Sequence, residues 1–433
     1  MRVVVIGGGL AGCEAAWQLM RAGVDVVLYE MRPVRPTAAH RTALLAELVC
    51  SNSLKSDSEN TASWLLKQEL RRLGSLAMRA AEAARVPGGH ALTVDRAVFS
   101  QEIQRALDCE VRREEVTAIP ENDVTIVASG PLTSDALACD IARRTGSERL
   151  FFYDSISPIV DAETIDRAKI FAASRYGKSL DGGDDYLNCP FTKPQYEAFV
   201  DAVLTAESAE AHIAEDHPAF FEACLPIEEL ARRGRETLRF GPMKPVGLED
   251  PATGQRPYAV VQLRQESLRA DSYNLVGFQN YMRFPEQRRV FRMIPGLENA
   301  EFLRYGQIHR NTYINGPALL NATLQLKSDP RILFAGQISG VEGYVESIAT
   351  GLMAGRHAAD LVGGCTPHPL PRATALGSLC HYIAHADPQH YAPANISFDL
   401  LPPLEKSVRD RKARHAALCR RALESLEEYA RAR

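Results

Sequence analysis

Three glycines near the start of the chain have the spacing of a phosphate-binding turn. The apolar run V-V-V-I at 3–6 leads into Gly7, Gly9 and Gly12, and a helical stretch and a second apolar run precede Glu30. Gly7 permits the tight turn, Gly9 lets the backbone approach a pyrophosphate, and Gly12 lets the helix pack closely on the strand. The first turn of that helix presents free N–H groups to phosphates, which adds three candidate cofactor contacts, Gly8, Leu10 and Ala11.

The acid at the end of the second apolar run narrows the choice of cofactor. Glu30 stands 18 residues after Gly12. At that position a carboxylate accepts hydrogen bonds from a ribose 2′-hydroxyl and repels a 2′-phosphate. The motif therefore predicts a bound dinucleotide, either FAD or NAD, and disfavours NADP at this site.

Two later segments favour FAD. The apolar run V-T-I-V-A at 124–128 precedes Gly130, a pattern typical of flavoproteins with two dinucleotide-binding folds, in which this glycine passes close to FAD. Residues 331–355 form a further strand, a glycine turn and a helix rich in Ala and Gly. The N-terminus of that helix would stabilise negative charge on a reduced flavin. The turn supplies the remaining candidate cofactor contacts, which are Gly336, Gln337, Glu342, Gly343 and Tyr344.

The cysteines predict free thiols. The chain has nine of them, scattered singly with no close pair, which argues against a disulfide framework, a zinc ribbon or a flavin disulfide reductase. We predict no metal site. An isolated cysteine is usually a small buried hydrophobic residue, and we favour that role for Cys189 too. We expect the same of Cys13, Cys109, Cys139, Cys365, Cys380 and Cys419.

These segments predict an α/β fold. The expected architecture is an FAD-binding, Rossmann-like domain of the two-dinucleotide-fold type with a smaller α+β insertion domain. Strand-like and Pro-rich pieces between the two glycine clusters place the insertion at 158–305. The FAD-binding domain then comprises 1–157 and 306–433, and its last thirty or so residues form a basic amphipathic helix.

Composition limits the class of protein and its partners. The 433 residues are 45% hydrophobic and 24% charged, which is ordinary for a soluble globular protein of about two domains. No apolar run reaches the roughly 18 residues of a membrane span, and the chain enters a strand with no room for a signal peptide, so we expect cytoplasmic residence. Net charge is −4, yet 231–245 holds five basic residues and one acid, and 404–433 holds nine basic residues and five acids. Such patches can contact RNA phosphates, although taken alone they favour a solvated helix face.

Longer motifs occur in one order along the chain. They are E-L-V-C-S-N-S-L at 47–54, L-R-R-L-G-S-L at 70–76, R-V-P-G-G-H-A-L-T-V-D-R at 85–96, D-Y-L-N-C-P at 185–190, F-F-E-A-C at 220–224, G-P-M-K-P-V-G-L at 241–248, V-V-Q-L-R-Q at 260–265 and G-V-E-G-Y-V-E-S at 340–347. Together they resemble the folate- and FAD-dependent RNA uracil-C5 methyltransferases, the TrmFO family, over essentially the whole chain to about residue 410. The wobble-uridine enzymes GidA/MnmG share the FAD domain but are longer at the C-terminus.

The resemblance implies a reaction and its catalytic thiols. Uracil C5 is a poor nucleophile until a thiolate adds to C6, and the family points to Cys224 for that addition. Cys50 is implied as a second essential thiol whose role stays open. A free thiol needs a cationic neighbour to ionise at neutral pH, and the Arg232, Arg233 and Arg235 cluster is the local candidate. The family places Tyr344 against the flavin, while a structural role is the simpler interpretation of His309.

The resemblance also implies cosubstrates and an RNA target. 5,10-Methylenetetrahydrofolate supplies the one-carbon unit, reduced FAD supplies a hydride, and NADH or NADPH recharges the flavin; whether methylene passes through flavin N5 stays open. The implied substrate is uridine in the T loop of tRNA, and ribosomal RNA is a second possible target of the same chemistry. Two different functions also stay open, MnmG-like wobble modification and a flavin-binding RNA scaffold without catalysis. No obligate protein partner is evident.

Overall fold

The computed structural model describes residues 2–146, 150–180, 182–208 and 225–431, with the backbone alone described at 150–155 and 308–310. Its helices are α1 Leu10–Arg21, α2 Ala62–Arg72, α3 Leu76–Ala83, α4 Arg96–Ala106, α5 Asp135–Thr145, α6 Lys193–Leu204, α7 Ile227–Arg232, α8 Thr237–Phe240, α9 Phe284–Phe291, α10 Gly316–Leu319, α11 Tyr344–Val362, α12 Ala375–His385 and α13 Arg411–Arg431. Its strands are β1 Val3–Ile6, β2 Val26–Tyr29, β3 Ser53–Ser56, β4 Arg85–Val86, β5 Ala91–Val94, β6 Glu110–Arg112, β7 Val124–Val127, β8 Leu150–Ser155, β9 Ile159–Asp161, β10 Phe171–Ala172, β11 Tyr186–Phe191, β12 Ala259–Gln265, β13 Ser272–Leu275, β14 Phe302–Arg304, β15 Ile308–Tyr313 and β16 Ile332–Phe334.

A parallel sheet carries the first glycine motif. Its strand order is β16-β7-β1-β2-β6, with every neighbouring pair parallel. All four residues of β1 are buried, as expected of a parallel strand with helices on both faces of its sheet. The carboxyl ends of β1, β7 and β16 therefore meet at one edge, where open α/β sheets bind their ligands.

A second, antiparallel sheet has one apolar and one polar face. Its order is β10-β11-β12-β13-β9-β14. Successive strand residues point to opposite faces, so Val261 and Leu263 of β12 enter a core that includes Phe199 of α6 and Phe291 of α9. Arg264 of the same strand is also buried but lies on the opposite face. The second sheet therefore buries charged groups on the side away from its own core.

The register aligns these polar residues in one row. Tyr186 pairs with Arg264, Arg264 with Asn274, Asn274 with Ile159, and Ile159 with Arg304. Residues directly opposite each other in a sheet share a face. The polar row therefore crosses β11, β12, β13, β9 and β14.

A bulge brings Arg304 into this row. Phe302 pairs with Val160, and the pairing then slips so that Arg304 faces Ile159. Without the extra residue, Arg304 would share the apolar face with Phe302; a bulge re-aims side chains in this way.

Buried carboxylates join helices that are distant in sequence. Glu14 of α1 accepts hydrogen bonds from the N–H groups of Leu76 and Ala77 at the start of α3. Glu69 of α2 accepts from Ala375 N at 2.7 Å and Leu376 N at 2.8 Å at the start of α12. Burial raises the pKa of Glu69 to about 8, against the pull of those two N–H groups.

The two sheets confirm the predicted fold class. The boundaries at 157 and 305 stay a prediction. The C-terminal helix is present as α13, and Leu418 and Leu426 on one side of it are buried. Cys13, Cys189, Cys380 and Cys419 are buried and Cys109 is half-buried, but the expectation of burial was wrong for Cys139 and Cys365, which are exposed. No helix among the described residues is both long and apolar enough to cross a membrane.

Candidate active site

A cleft opens at the carboxyl edge of the parallel sheet. It encloses about 1020 Å³, part of it open to solvent. Residues from the ends of β1, β2, β7 and β16 line it, as does the start of α11. The predicted cofactor contacts among its lining are Gly7, Gly9, Leu10, Ala11, Glu30, Gly130, Gly336, Gln337 and Tyr344.

Each glycine of the first turn is favoured for a different structural reason. A Cβ on Gly12 would lie 1.8 Å from the Gly7 carbonyl oxygen, and a Cβ on Gly7 would lie 2.4 Å from Ala128 O. Gly9 has no atom within 4 Å of such a Cβ, so its backbone faces open space. It caps α1 without a side-chain hydrogen bond, and the first turn carries no acid. The positive end of α1 is therefore available to an anion.

Glu30 lies in a network of hydrogen bonds at the cleft wall. It accepts from Gly8 N at 3.0 Å and from Arg32 N and Nε, both at 2.9 Å. Arg32 also pairs with Glu47 at 3.0 Å. Burial alone would raise the pKa of Glu30, but hydrogen bonds and charge from Arg32 outweigh it, and the pKa lies below its usual value. Glu30 is therefore a carboxylate, and it shares its oxygens between Gly8, Arg32 and any hydroxyl in the cleft.

The second glycine turn is braced by its own polar residues. Gln337 Nε2 donates to Glu342 at 2.6 Å, so Glu342 holds a lining residue without lining the cleft. Gly343, with φ +111°, is the N-cap of α11, and a Cβ there would meet Lys55 and Glu346. Lys55 Nζ and Glu346 form an ion pair at 2.7 Å. That acid lies in the first turn of α11, so this helix end is less positive than the sequence predicts.

Tyr344 connects the cleft to Cys50. The Tyr344 hydroxyl accepts the N–H of Cys50 at 2.7 Å and of Ser51 at 3.1 Å. Burial raises the pKa of Tyr344, and negative charge on Cys50 would raise it further. Val49 lines the cleft and Cys50 is half-buried. The 49–53 loop and the predicted cofactor site therefore adjoin.

Two arginines hold the 49–53 loop from different elements. Arg96, at the start of α4, donates to Leu48 O at 2.8 Å and forms an ion pair with Glu266 at 2.7 Å. Arg264, in the polar row, donates to Ser51 Oγ at 2.8 Å and to Asn52 Oδ1 at 2.9 Å. Both guanidinium groups are close enough to Cys50 for its charge to act on them.

Arg304 supplies a third cation beside this loop. It donates to Ala39 O at 2.9 Å, and its Nε has no acceptor among the described residues. Burial lowers the pKa of Arg304 to about 10, with the charges of Arg96 and Arg41 acting in the same direction. It therefore stays a cation at neutral pH. Negative charge on Cys50 would favour that cation.

The other predicted thiol cannot be placed. Cys224 and Glu222 lie outside the described residues, and so do the side chains of His309 and Arg310. In the proposed cationic cluster, Arg232 pairs with Glu229 and Arg235 pairs with Asp201. Much of the positive charge at 231–245 is therefore compensated by neighbouring acids.

Sequence reasoning missed the arginines around Cys50. Arg96 and Arg264 stand within two of the motifs, V-D-R and L-R-Q, but were assigned no role. An arginine alternating with apolar residues in a strand, as in V-V-Q-L-R-Q, signals a buried charged face. No signal in the sequence indicated Arg304, because its direction depends on the bulge.

The residues present at the cleft fit FAD. The open backbone at Gly9 and the positive end of α1 suit a pyrophosphate, and the Glu30 carboxylate suits a ribose. Gly130 has φ +70° and open space where a Cβ would stand, which permits close approach of a flat ring system. Among the described residues, no group of three His, Cys, Asp or Glu side chains is placed to hold a metal ion.

The fold and cleft define a flavoprotein of the two-dinucleotide-fold class. The family model described as glucose inhibited division protein A matches residues 2–365. The structure of Aquifex aeolicus GidA is similar in fold, with a TM-score of 0.67 and 17% identity over 99% of this chain and 76% of that one. Two relatives named methylenetetrahydrofolate--tRNA-(uracil-5-)-methyltransferase TrmFO are similar over nearly their full length. That of Solibacter usitatus is 69% identical over 98% of both chains, and that of Koribacter versatilis is 60% identical over 99% of this chain and 98% of the relative. The chain belongs to the TrmFO family, within the wider GidA family.

Proposed function

We propose that this protein methylates uridine C5 in the T loop of tRNA, using 5,10-methylenetetrahydrofolate as carbon donor, FAD as redox cofactor and NADH or NADPH as reductant. One observation carries the proposal: the Cys50 loop adjoins the dinucleotide cleft, with the Tyr344 hydroxyl bonded to the Cys50 N–H at 2.7 Å. The relative from Solibacter usitatus, at 69% identity, is named as a folate-dependent tRNA uracil-5-methyltransferase, which supports the same reaction class here.

The chemistry needs a thiol to activate the pyrimidine. A thiolate that adds to C6 makes C5 nucleophilic, and its later elimination restores the ring after the C5 proton has left. We assign the addition to Cys224 and assign to Cys50 a second thiol role at the cleft. The donor carbon is at the formaldehyde level, so a methyl product also requires a hydride. FAD, when bound and reduced, supplies that hydride.

The residues around the cleft have assignable tasks in this reaction. The turn at 7–12 holds the pyrophosphate, and Glu30 orients a ribose. Arg96 holds the backbone of the 49–53 loop and Arg264 holds its side chains Ser51 and Asn52. Both add positive charge beside the Cys50 sulfur, which favours the thiolate. Tyr344 fixes the same loop from the cleft side.

The decisive experiment reconstitutes methylation. Purified protein, a tRNA transcript, methylenetetrahydrofolate and NADH or NADPH are incubated, and 5-methyluridine is mapped by mass spectrometry. We expect a yellow protein and one methylated uridine in the T loop, with no product when the folate is omitted. Variants Cys50→Ala and Cys224→Ala should stay yellow and lose methylation. Methylation driven by S-adenosylmethionine would overturn the proposal.

The same mapping distinguishes tRNA from ribosomal RNA as the target. RNA from a deletion strain and its complemented counterpart reports both RNA classes together. A lost 5-methyluridine in ribosomal RNA would redirect the substrate without changing the chemistry. Loss of a wobble modification that requires a GTPase partner and glycine or ammonium would indicate MnmG-like activity.

A further inference from the structure

Three aromatic rings form a stack that runs from the second core to the surface. Phe302 stacks on Tyr305 with ring centroids 5.4 Å apart and planes within 23°, and Tyr305 stacks on Phe284 at 5.0 Å and 19°. Phe302 packs against the core of the second sheet, whereas Phe284 is 47% exposed. We call Phe302, Tyr305 and Phe284 the aromatic stack.

The outer ring of the stack is anchored and about half exposed. Phe284 begins α9, and Gln287 of that helix donates to Gly306 O at 2.9 Å and accepts from Gly306 N at 2.7 Å. These bonds fix α9 against the segment that carries Tyr305. A large aromatic ring is therefore held rigidly with part of its surface exposed, where it can stack on a flat ligand.

The surroundings of the outer ring are basic. Residues 283–292 contain four arginines and one glutamate. Arg283 pairs with Glu207 at 3.1 Å and Arg289 with Glu286 at 2.6 Å, while Arg288 is exposed on the same helix. A flat ring with arginines beside it matches the two parts of a nucleotide, a base that stacks and a phosphate that is anionic.

The stack lies on the core face of the second sheet, where Phe302 packs. Tyr305 directly follows Arg304, which the bulge turns to the opposite face of that sheet. A base placed on Phe284 would therefore be a different nucleotide from the uridine delivered to the thiol site.

We propose that Phe284 is a stacking platform for an unpaired nucleobase of the substrate RNA, distinct from the uracil that is methylated. The proposal rests on the proposed function for the identity of the RNA. A bound base would be the fourth ring of the stack, so the second sheet and α9 would contact the RNA directly. The ring order predicts little reorganisation on binding, because the protein part of the stack already exists.

Variants of the outer ring test the proposal. Phe284→Leu keeps an apolar contact with Tyr305 and removes the ring, and Phe284→Trp keeps a larger ring. Base stacking on an aromatic side chain is worth roughly 1–3 kcal/mol and 1.4 kcal/mol is tenfold, so Phe284→Leu should weaken tRNA binding about 5- to 100-fold. Phe284→Trp should bind as wild type, and its additional tryptophan fluorescence should be quenched by tRNA.

The controls separate stacking from folding and from the proposed reaction. Tyr176→Leu removes another aromatic side chain, 61% exposed, and should leave tRNA binding unchanged. Binding is measured by fluorescence anisotropy without folate or nicotinamide, so a failure of the proposed methylation leaves this measurement intact. In turnover, Phe284→Leu should raise the KM for tRNA and leave the KM for methylenetetrahydrofolate and the rate of flavin reduction unchanged. Equal tRNA affinity of wild type and Phe284→Leu, or a rise in the KM for the folate alone, would overturn the platform.

Discussion

Replacing Arg264 by methionine separates the electrostatic support of Cys50 from the rest of the site. Methionine keeps an unbranched side chain but removes the guanidinium that donates to Ser51 Oγ at 2.8 Å and Asn52 Oδ1 at 2.9 Å. Hydrogen bonds from a charged donor contribute about 1.5–3 kcal/mol each. Arg264 is 8% exposed, and relief of its buried charge offsets part of that loss. We therefore expect the free energy of unfolding to fall by only about 1–3 kcal/mol.

The effect on thiol reactivity should be the larger one. A neighbouring cation lowers the pKa of an acidic group by about 1–3 units. Arg264 contacts the residue after Cys50 and shares its task with Arg96 and Arg304. Its removal should therefore lower the thiolate fraction of Cys50 about tenfold, the low end of that range. The rate at which iodoacetamide alkylates Cys50 at pH 7 should then fall about tenfold.

Peptide mapping by mass spectrometry gives this rate for each cysteine separately. The exposed Cys139 and Cys365 serve as references within the same molecule. Arg421→Met, which removes an arginine that donates to Pro402 O at 2.6 Å far along the chain, is the matched control variant. Arg264→Lys keeps the positive charge but loses the planar guanidinium that donates to both Ser51 and Asn52. It should therefore retain most of the alkylation rate. If Arg264→Met alkylates Cys50 as fast as wild type, the assigned electrostatic role is wrong.

Three further predictions follow from the packing. Gly12→Ala places a Cβ 1.8 Å from Gly7 O, so the protein should purify without its yellow colour, whereas Gly183→Ala, where a Cβ meets its nearest atom at 3.4 Å, should stay yellow. Glu69 has its pKa raised by burial from 4.5 to about 8, so the folded state holds a proton that the unfolded state releases between those values. Stability should therefore fall as pH rises from about 5 to 8, and Glu69→Gln should flatten that slope in urea unfolding. Glu30→Gln removes the charge that orients Arg32; it should weaken FAD retention about tenfold, as measured by flavin release on dilution, with the tRNA affinity unchanged.

Local patterns predicted the parallel sheet well. β1 and the turn at 7–12 are contiguous in sequence, and the closest contact of Gly12 is with Gly7 in the same turn. The α13 helix followed equally from its own periodicity and charge. The exposed Cys139 and Cys365 did not, because burial of a lone cysteine depends on which helix face the fold covers, and the spacing of single cysteines carries no such information.

The candidate site was predictable only in part, because its residues come together through the tertiary fold. Cys50 and Tyr344 are 294 residues apart in the sequence. Only the family resemblance indicated that both belong to the active site. The guanidinium of Arg304 is directed by a slip of one residue between β14 and β9. A sequence pattern fixes which residues alternate in a strand but not where the alternation breaks.

The reactivity proposed for Cys50 is therefore a property of tertiary docking and not of the loop that carries it. The run V-C-S-N-S contains no cation, and a thiol in it has no local reason to ionise. Its charges come from α4, from β12 and from β14, and its backbone is fixed by the hydroxyl at the start of α11. The polar row of the second sheet supplies two of the three cations, so without that sheet the FAD cleft would remain and Cys50 would keep only Arg96 of these three. Nucleotide binding then depends on the parallel sheet, whereas the proposed thiol chemistry also depends on the correct placement of the antiparallel sheet. The same part of the molecule carries the aromatic stack that we propose contacts RNA.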